Sequence, residues 1–190
     1  MANETPTDKE LILKYTLAKL AEAPQLVKNQ LEEKGISYKH RRVYFRIKKY
    51  VDDFLMGDQL GNIENRFIIL PGLRGVGKTT LLFQLYRYLK DFKKIDQDRI
   101  LYFSADELKA YLGKKVLNVI DTFIQEIHKT TPTYLDKELF IFVDESHFDD
   151  SWSETGKILF DKSKKIFMIF TGSSALSLEL SVDAARRAIK

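Results

Sequence analysis

The apolar residues near the start of the chain fall at helical spacing. Leu11, Leu13, Leu17, Leu20, Leu26, Val27 and Leu31 predict helix across residues 9–34. Pro24 interrupts that run, and a proline removes one rung of the helical ladder, so the pattern predicts two helices divided there. Gly35 is placed to end the second. Residues 1–8 read as a polar, disordered tail. Over residues 38–56, Val43, Ile47, Val51 and Phe54 form one apolar stripe, while Lys39, Arg42, Arg46 and Lys49 fall on another face. A polar, glycine-containing connection follows over residues 58–65.

Beyond it the pattern changes. RFIIL (66–70), RILYF (99–103), ELFIFVDE (138–145) and KIFMIFTG (165–172) are short apolar runs and read as strands. Between them lie helical stretches. Residues 79–92 carry Leu81, Leu82, Leu85, Leu89 and Phe92. Residues 105–129 are helical with an interruption near Gly113, and 151–162 form a shorter helix. Strands that are apolar throughout and alternate with helices predict a parallel sheet covered on both faces. The expected fold is therefore α/β, three layers with four visible parallel strands, preceded by N-terminal helices; the loop GLRGVGKT (72–79) after the first strand makes it a P-loop NTPase fold. The expected division is a helical segment over 1–62 and a core over 63–190.

Composition narrows the setting. The chain of 190 residues is long enough for one sizeable core. It has no cysteine, which excludes disulfides and thiolate metal sites and accords with a cytoplasmic location. The first ten residues lack the apolar core of a signal peptide, and no apolar run approaches the ~20 residues of a membrane span. The expectation is a protein with no membrane association. A net charge of +4 selects no partner by itself.

The sequence GLRGVGKT (72–79) fits G-x-x-x-x-G-K-[ST], with a strand before it and a helix after it. Gly72, Leu73, Arg74, Gly75, Val76, Gly77, Lys78, Thr79 and Thr80 are thus the candidate ATP-binding residues. The glycines let backbone N–H groups close around phosphate oxygens. Lys78 supplies an ammonium for the β- and γ-phosphates, and the Thr79 hydroxyl a ligand for Mg²⁺. Thr80 starts the helix or touches the α-phosphate. A glycine turn with an incidental lysine would not account for Lys and Thr directly after the last glycine.

FIFVDESHFDD (140–150) ends a buried strand in two carboxylates. In parallel α/β sheets ligands bind beyond the carboxyl ends of the strands. Asp144 is therefore expected near Lys78 and Thr79, holding Mg²⁺ through its water shell. Glu145 is the candidate base for an attacking water. An acidic pair at a strand end can also be a solvated turn, but here a phosphate loop precedes it.

Asp144 to His147 also spell the Asp-Glu-x-His box of a helicase class. Those helicases resemble tandem motor domains and carry a Ser-Ala-Thr element, where this chain has TGSSA (171–175). The combination of FIILPGLRGVGKTTLL, FIFVDESHF, Trp152 and IFTGSSA instead resembles the AAA-related (extended AAA) ATPases of archaea and bacteria, over about residues 66–187. The resemblance implies a Mg²⁺-dependent ATPase that couples nucleotide state to conformational change. The full-length protein would form a homo-oligomer, with a winged-helix or nuclease-like part after the P-loop domain. It places a γ-phosphate sensor among Thr171, Ser173 and Ser174, with Thr171 and Ser173 foremost. It also raises Arg186 or Arg187 as an arginine finger, against a solvated helix face. The family's fifth strand and helical lid are not visible before Lys190, so the ATPase core reads as truncated.

Several residues carry plainer readings beside functional ones. His147 packs or hydrogen-bonds in its loop, or touches Glu145. Trp152 packs under the loop. His40 and His128 have no metal-like spacing. Residues 39–49 hold Lys39, Arg41, Arg42, Arg46, Lys48 and Lys49 among Tyr38, Tyr44 and Phe45. Such a basic helix could serve DNA, a protein partner or an acidic membrane surface, or be a solvated face whose opposite stripe packs on the core. Two alternatives to an ATPase follow: an ATP-binding switch with negligible hydrolysis, or a DNA-binding module whose ATPase is stimulated by nucleic acid.

Overall fold

The computed structural model describes residues 7–32, 38–57 and 64–172. Helix α1 (Asp8–Leu31) is continuous through Pro24. This corrects the expected division into two helices, and the ladder shows the reason. A proline at 24 leaves the carbonyl of Leu20 without its helical donor. The side-chain amide of Gln97 donates to that carbonyl instead, at 2.7 Å. The buried stripe of α1 is Ile12, Thr16, Leu20, Ala23, Val27 and Leu31, at steps of three and four. Leu17 and Leu26, taken from the sequence as part of that stripe, are exposed. The Thr16 hydroxyl is satisfied by the Ile12 carbonyl at 2.8 Å, so a polar residue fits the buried face. Thr7 caps the helix in a reciprocal pair with Glu10, so the helix begins inside the stretch expected to be tail.

Helix α2 (Arg42–Met56) buries Tyr44, Ile47, Val51 and Phe54. Val43, expected in the stripe, is turned outward at 38% exposure, and Tyr44 takes its place. Then come β1 (Phe67–Pro71), α3 (Lys78–Arg87), β2 (Ile100–Ser104), α4 (Ala105–Leu112), α5 (Val116–Thr122), β3 (Leu139–Asp144), α6 (Trp152–Lys162) and β4 (Ile166–Gly172). A wider π-type turn continues α3 through Tyr88–Phe92, which rotates Phe92 out of the apolar stripe to 75% exposure. The interruption expected near Gly113 is present: Gly113 closes α4 in the left-handed conformation, at φ 60°.

The four strands are parallel in the order β1-β4-β3-β2. Each is apolar on both sides because each face has its own core. Leu139, Ile141 and Val143 of β3 face a cluster with α4, α5 and α6, while Phe140 and Phe142 face a cluster with α2 and α3. Helix α1 enters both clusters, with Ile12 and Leu20 in the first and Ala23, Val27 and Leu31 in the second. Gly156 of α6 lies against the Phe67 ring of β1; a Cβ there would come within 2.2 Å of the ring. This close approach seats α6 on the strand that leads into the phosphate loop. Three-layer α/β architecture is thus found as the pattern predicted.

Removing the Gln97 amide should leave the Leu20 carbonyl buried and unmet. Gln97→Ala is expected to lose about 1–3 kcal/mol in urea unfolding. In a Pro24→Ala background the loss should largely vanish, because residue 24 then supplies its own N–H. An undiminished loss in that background would contradict the assignment.

Candidate functional site

The strand order sets the site. β4 lies between β1 and β3, so the carboxyl ends of these three strands adjoin. β1 leads into the glycine loop, β4 ends in Thr171 and Gly172, and β3 ends in Asp144. The loop is tied to the sheet at its start, where the Gly72 N–H donates to the Gly172 carbonyl at 3.2 Å. Gly75 and Gly77 have φ of 82° and 85°, a region that side chains with a Cβ rarely enter. Gly77 is the N-cap of α3, and its carbonyl accepts the first helical bond, from Leu81 at 3.1 Å. The N-terminus of α3, with its unpaired N–H groups and positive dipole end, thus opens at the loop. Lys78 folds back along it, donating to the carbonyls of Gly72 and Leu73 at 2.8 and 3.0 Å. Thr80 lies in the first turn of α3.

Asp144 is buried and gathers donors from four elements. Thr79 of α3 donates to its Oδ2 at 2.5 Å, and Thr171 of β4 donates to its Oδ1. The Glu145 N–H reaches Oδ1 at 3.2 Å. The Tyr102 hydroxyl of β2 makes a long contact to Oδ2 at 3.5 Å. Burial, and then the adjacent Asp144 carboxylate, push the Tyr102 phenol far above its ordinary pKa, so it stays a donor. Of the residues picked from the sequence, Thr79 and Thr171 meet Asp144 here and Lys78 lies on the loop carbonyls; Tyr102 was not among them. Its signal was a polar tip in an otherwise apolar strand.

After Asp144 the chain turns sharply. Glu145 is in the left-handed region, at φ 48° and ψ 40°, which costs a residue with a Cβ about 1–2 kcal/mol. Its N–H also lies 3.2 Å from the Thr171 hydroxyl, and the Ser146 hydroxyl donates to the Thr171 carbonyl at 2.9 Å. These bonds hold the turn against its strain. His147 Nδ1 is 3.4 Å from Glu145 Oε2. Asp149, also missed, accepts from the Val116 N–H at 2.7 Å and from the Ser151 N–H and hydroxyl at 2.9 and 2.7 Å, fixing the far end of the turn to α5. Trp152 is buried with its ring 6.1 Å from that of Phe170, in the core beneath the turn. Ser173, Ser174, Arg186 and Arg187 lie outside the described residues.

The donor set at Asp144 suits a hard cation. Thr79 and Asp144 offer a hydroxyl and a carboxylate oxygen side by side. Among the described residues no group of three or more His, Cys, Asp or Glu is placed to hold a metal. A bound ion would therefore take most of its shell from water and ligand oxygens, the habit of Mg²⁺.

The cations of residues 39–49 divide. Lys48 and Lys49 each pair with an aspartate one turn on, Asp52 and Asp53, at 2.8 Å. Arg41 reaches the glycine loop, where its guanidinium donates to the Val76 carbonyl. Lys39, Arg42 and Arg46 are exposed, without ion pairs among the described residues. No described helix is long and apolar enough to cross a membrane.

Residues 64–189 match the family described as the AAA domain. Over 175 residues, 92% of this chain, the sequence is 36% identical to the uncharacterized protein MJ1637 of Methanocaldococcus jannaschii. The chain spans 33% of that relative's length. Among solved structures, the fold is similar to that of PCH-2 from C. elegans, with a TM-score of 0.50, 15% identity, and coverage of 75% of this chain and 40% of that one. A Walker-type ATPase of Pyrococcus abyssi, PABY2304, matches with a TM-score of 0.46 and 17% identity over 80% of this chain and 50% of that one. The likeness to PCH-2, at 15% identity, speaks for the fold alone. The match over two thirds of the sequence shows more: the chain belongs to the AAA-domain family of P-loop ATPases.

Proposed function

We propose that this chain binds ATP with Mg²⁺ at the glycine loop and hydrolyses it, using the nucleotide state to drive a conformational change. The observation that carries the reading is the convergence on Asp144. A loop hydroxyl, a β4 hydroxyl and the N–H of the next residue all meet one buried carboxylate beside Lys78. A solvated acidic turn would have no use for that set of donors.

Each residue then has a task. Backbone N–H groups of 75–79 and the α3 N-terminus take phosphate oxygens. Lys78 gives up its two carbonyl partners for the phosphate chain. Thr79 and Asp144 would hold Mg²⁺, which supplies positive charge to the phosphate oxygens. Glu145, one residue beyond and with its side chain 22% exposed, orients a water and takes its proton. Thr171 bonds both Asp144 and the N–H of Glu145, so its hydroxyl can pass a change at one to the other. The sequence also offers Ser173 as a second candidate hydroxyl for sensing the γ-phosphate.

Glu145→Gln should reduce phosphate release by about 100-fold or more while leaving Mg·ATP binding intact. Release equal to wild type would remove Glu145 from the chemistry. Binding without release in the wild type would favour the switch reading. Lys78→Ala should weaken ATP binding by about 1.5–3 kcal/mol, the worth of a hydrogen bond to a charged group, measured by calorimetric titration. Thr171→Val keeps the shape but removes the donor. It should lower unfolding free energy by about 1–3 kcal/mol and slow phosphate release; unchanged stability and rate would exclude the link through Thr171.

A further inference from the structure

We infer that Arg41 is a phosphate-directed cation of the nucleotide site, supplied from outside the glycine loop by the segment that leads into α2. This deepens, and rests on, the reading of 72–79 as an ATP site.

The position of Arg41 is fixed from both sides. It is the N-cap of α2, and its carbonyl accepts from the Tyr44 N–H at 3.0 Å. Three residues earlier, the Tyr38 carbonyl accepts from the Gln84 side chain of α3 at 3.1 Å. The segment between is therefore pinned along α3. From it the guanidinium donates to Val76 and lies flat by Gly77, so that a Cβ on Gly77 would sit 3.6–3.7 Å from its Cζ, Nη1 and Nη2. The same segment and the loop wall a cleft of about 710 Å³ that contains Lys78, Thr80 and Gln84.

The electrostatics of this placement are unfavourable without a ligand. Gly77 is the N-cap of α3, where the helix dipole is positive and an anion is preferred. Arg41 brings a full positive charge to that end, and lines the same cleft as Lys78. Arg41 makes no ion pair with a carboxylate among the described residues. Three sources of positive potential thus face one cleft, and among the described residues the acceptor for the guanidinium is the Val76 carbonyl. A polyanion resolves the conflict. The guanidinium is exposed, with several N–H donors, so it can keep Val76 and add a phosphate oxygen, or exchange one for the other. A purely structural tie would need one neutral donor to Val76, and a glutamine could provide it.

The test uses two probes, Mg·ATP and inorganic tripolyphosphate, on the wild type, Arg41→Gln, Arg41→Lys and Lys78→Ala, by calorimetric titration. Arg41→Gln retains a donor for Val76 but not the charge. It is expected to weaken both probes by the same factor, about tenfold to a hundredfold, and to flatten the salt dependence of binding. Arg41→Lys should recover part of the loss. The unliganded unfolding midpoint of Arg41→Gln should equal or exceed the wild type's, since the amide keeps the donor to Val76 and the unfavourable charge is gone. Wild-type affinity in Arg41→Gln would overturn the inference while leaving the ATP site intact. A loss for ATP with none for tripolyphosphate would also overturn it, by moving Arg41 to the nucleoside side. Wild-type protein that binds neither probe, or binds as well without Lys78, would bring down the ATP reading itself.

Discussion

The Asp144 carboxylate is the point where the sheet becomes a site. It is buried at the end of β3 and accepts from Thr79, Thr171, the Glu145 N–H and, at longer range, Tyr102. A carboxylate can be held charged in such a place only if donors surround it. Those donors come from α3, β4, the turn after β3, and β2. The order β1-β4-β3-β2 brings them together, setting β4 between the loop-bearing strand and the acidic one and β2 on the other side of β3. The strained backbone of Glu145 follows from the same arrangement. The chain must turn at once to leave Asp144 facing the loop, and Thr171 and Ser146 hold that turn in place.

Much of this was legible in the residues. Glycine loops and acidic strand ends are local signals, and both sit between elements whose apolar pattern is strong. Two-sided apolar strands announced a sheet covered on both faces. What failed to show was long-range compensation. Pro24 argues locally for a helix break; nothing near it reveals that Gln97, over seventy positions away, satisfies the freed carbonyl. Leu17 looks like core and is exposed, while Thr16 looks polar and is buried, because the phase of a helix is decided by what packs on it. Asp149 was invisible for the same reason, and the polar tip of Tyr102 named no partner: each acts through a group brought near only by folding. Arg41 was read as part of a basic helix face, yet it sits at the helix cap and turns to the loop.

The charge distribution around the loop gives the site its direction. Lys78 is held by backbone carbonyls, the α3 N-terminus opens beside it, and Arg41 closes the outer side. The acidic groups lie across from these, on β3 and the turn behind it. On the proposed reading, phosphate oxygens would meet the loop N–H groups and Lys78, and Asp144 and Thr79 would hold the metal. Lys48 and Lys49, by contrast, spend their charge on aspartates of their own helix. The basic residues of 39–49 therefore act in different places, and counting them as one patch overstates the charge available to any partner.

The central claim is that loop and carboxylate form one Mg·nucleotide site. Thermal unfolding tests it most directly, with ATP and EDTA in one sample and ATP and Mg²⁺ in another, for wild type and Asp144→Asn. A ligand that binds only the folded state raises Tm by mass action. The account expects ATP alone to raise the wild-type Tm, Mg²⁺ to raise it further, and Asp144→Asn to lose the Mg²⁺ increment while keeping the first. No rise with millimolar ATP, or a full Mg²⁺ increment in the variant, would contradict it.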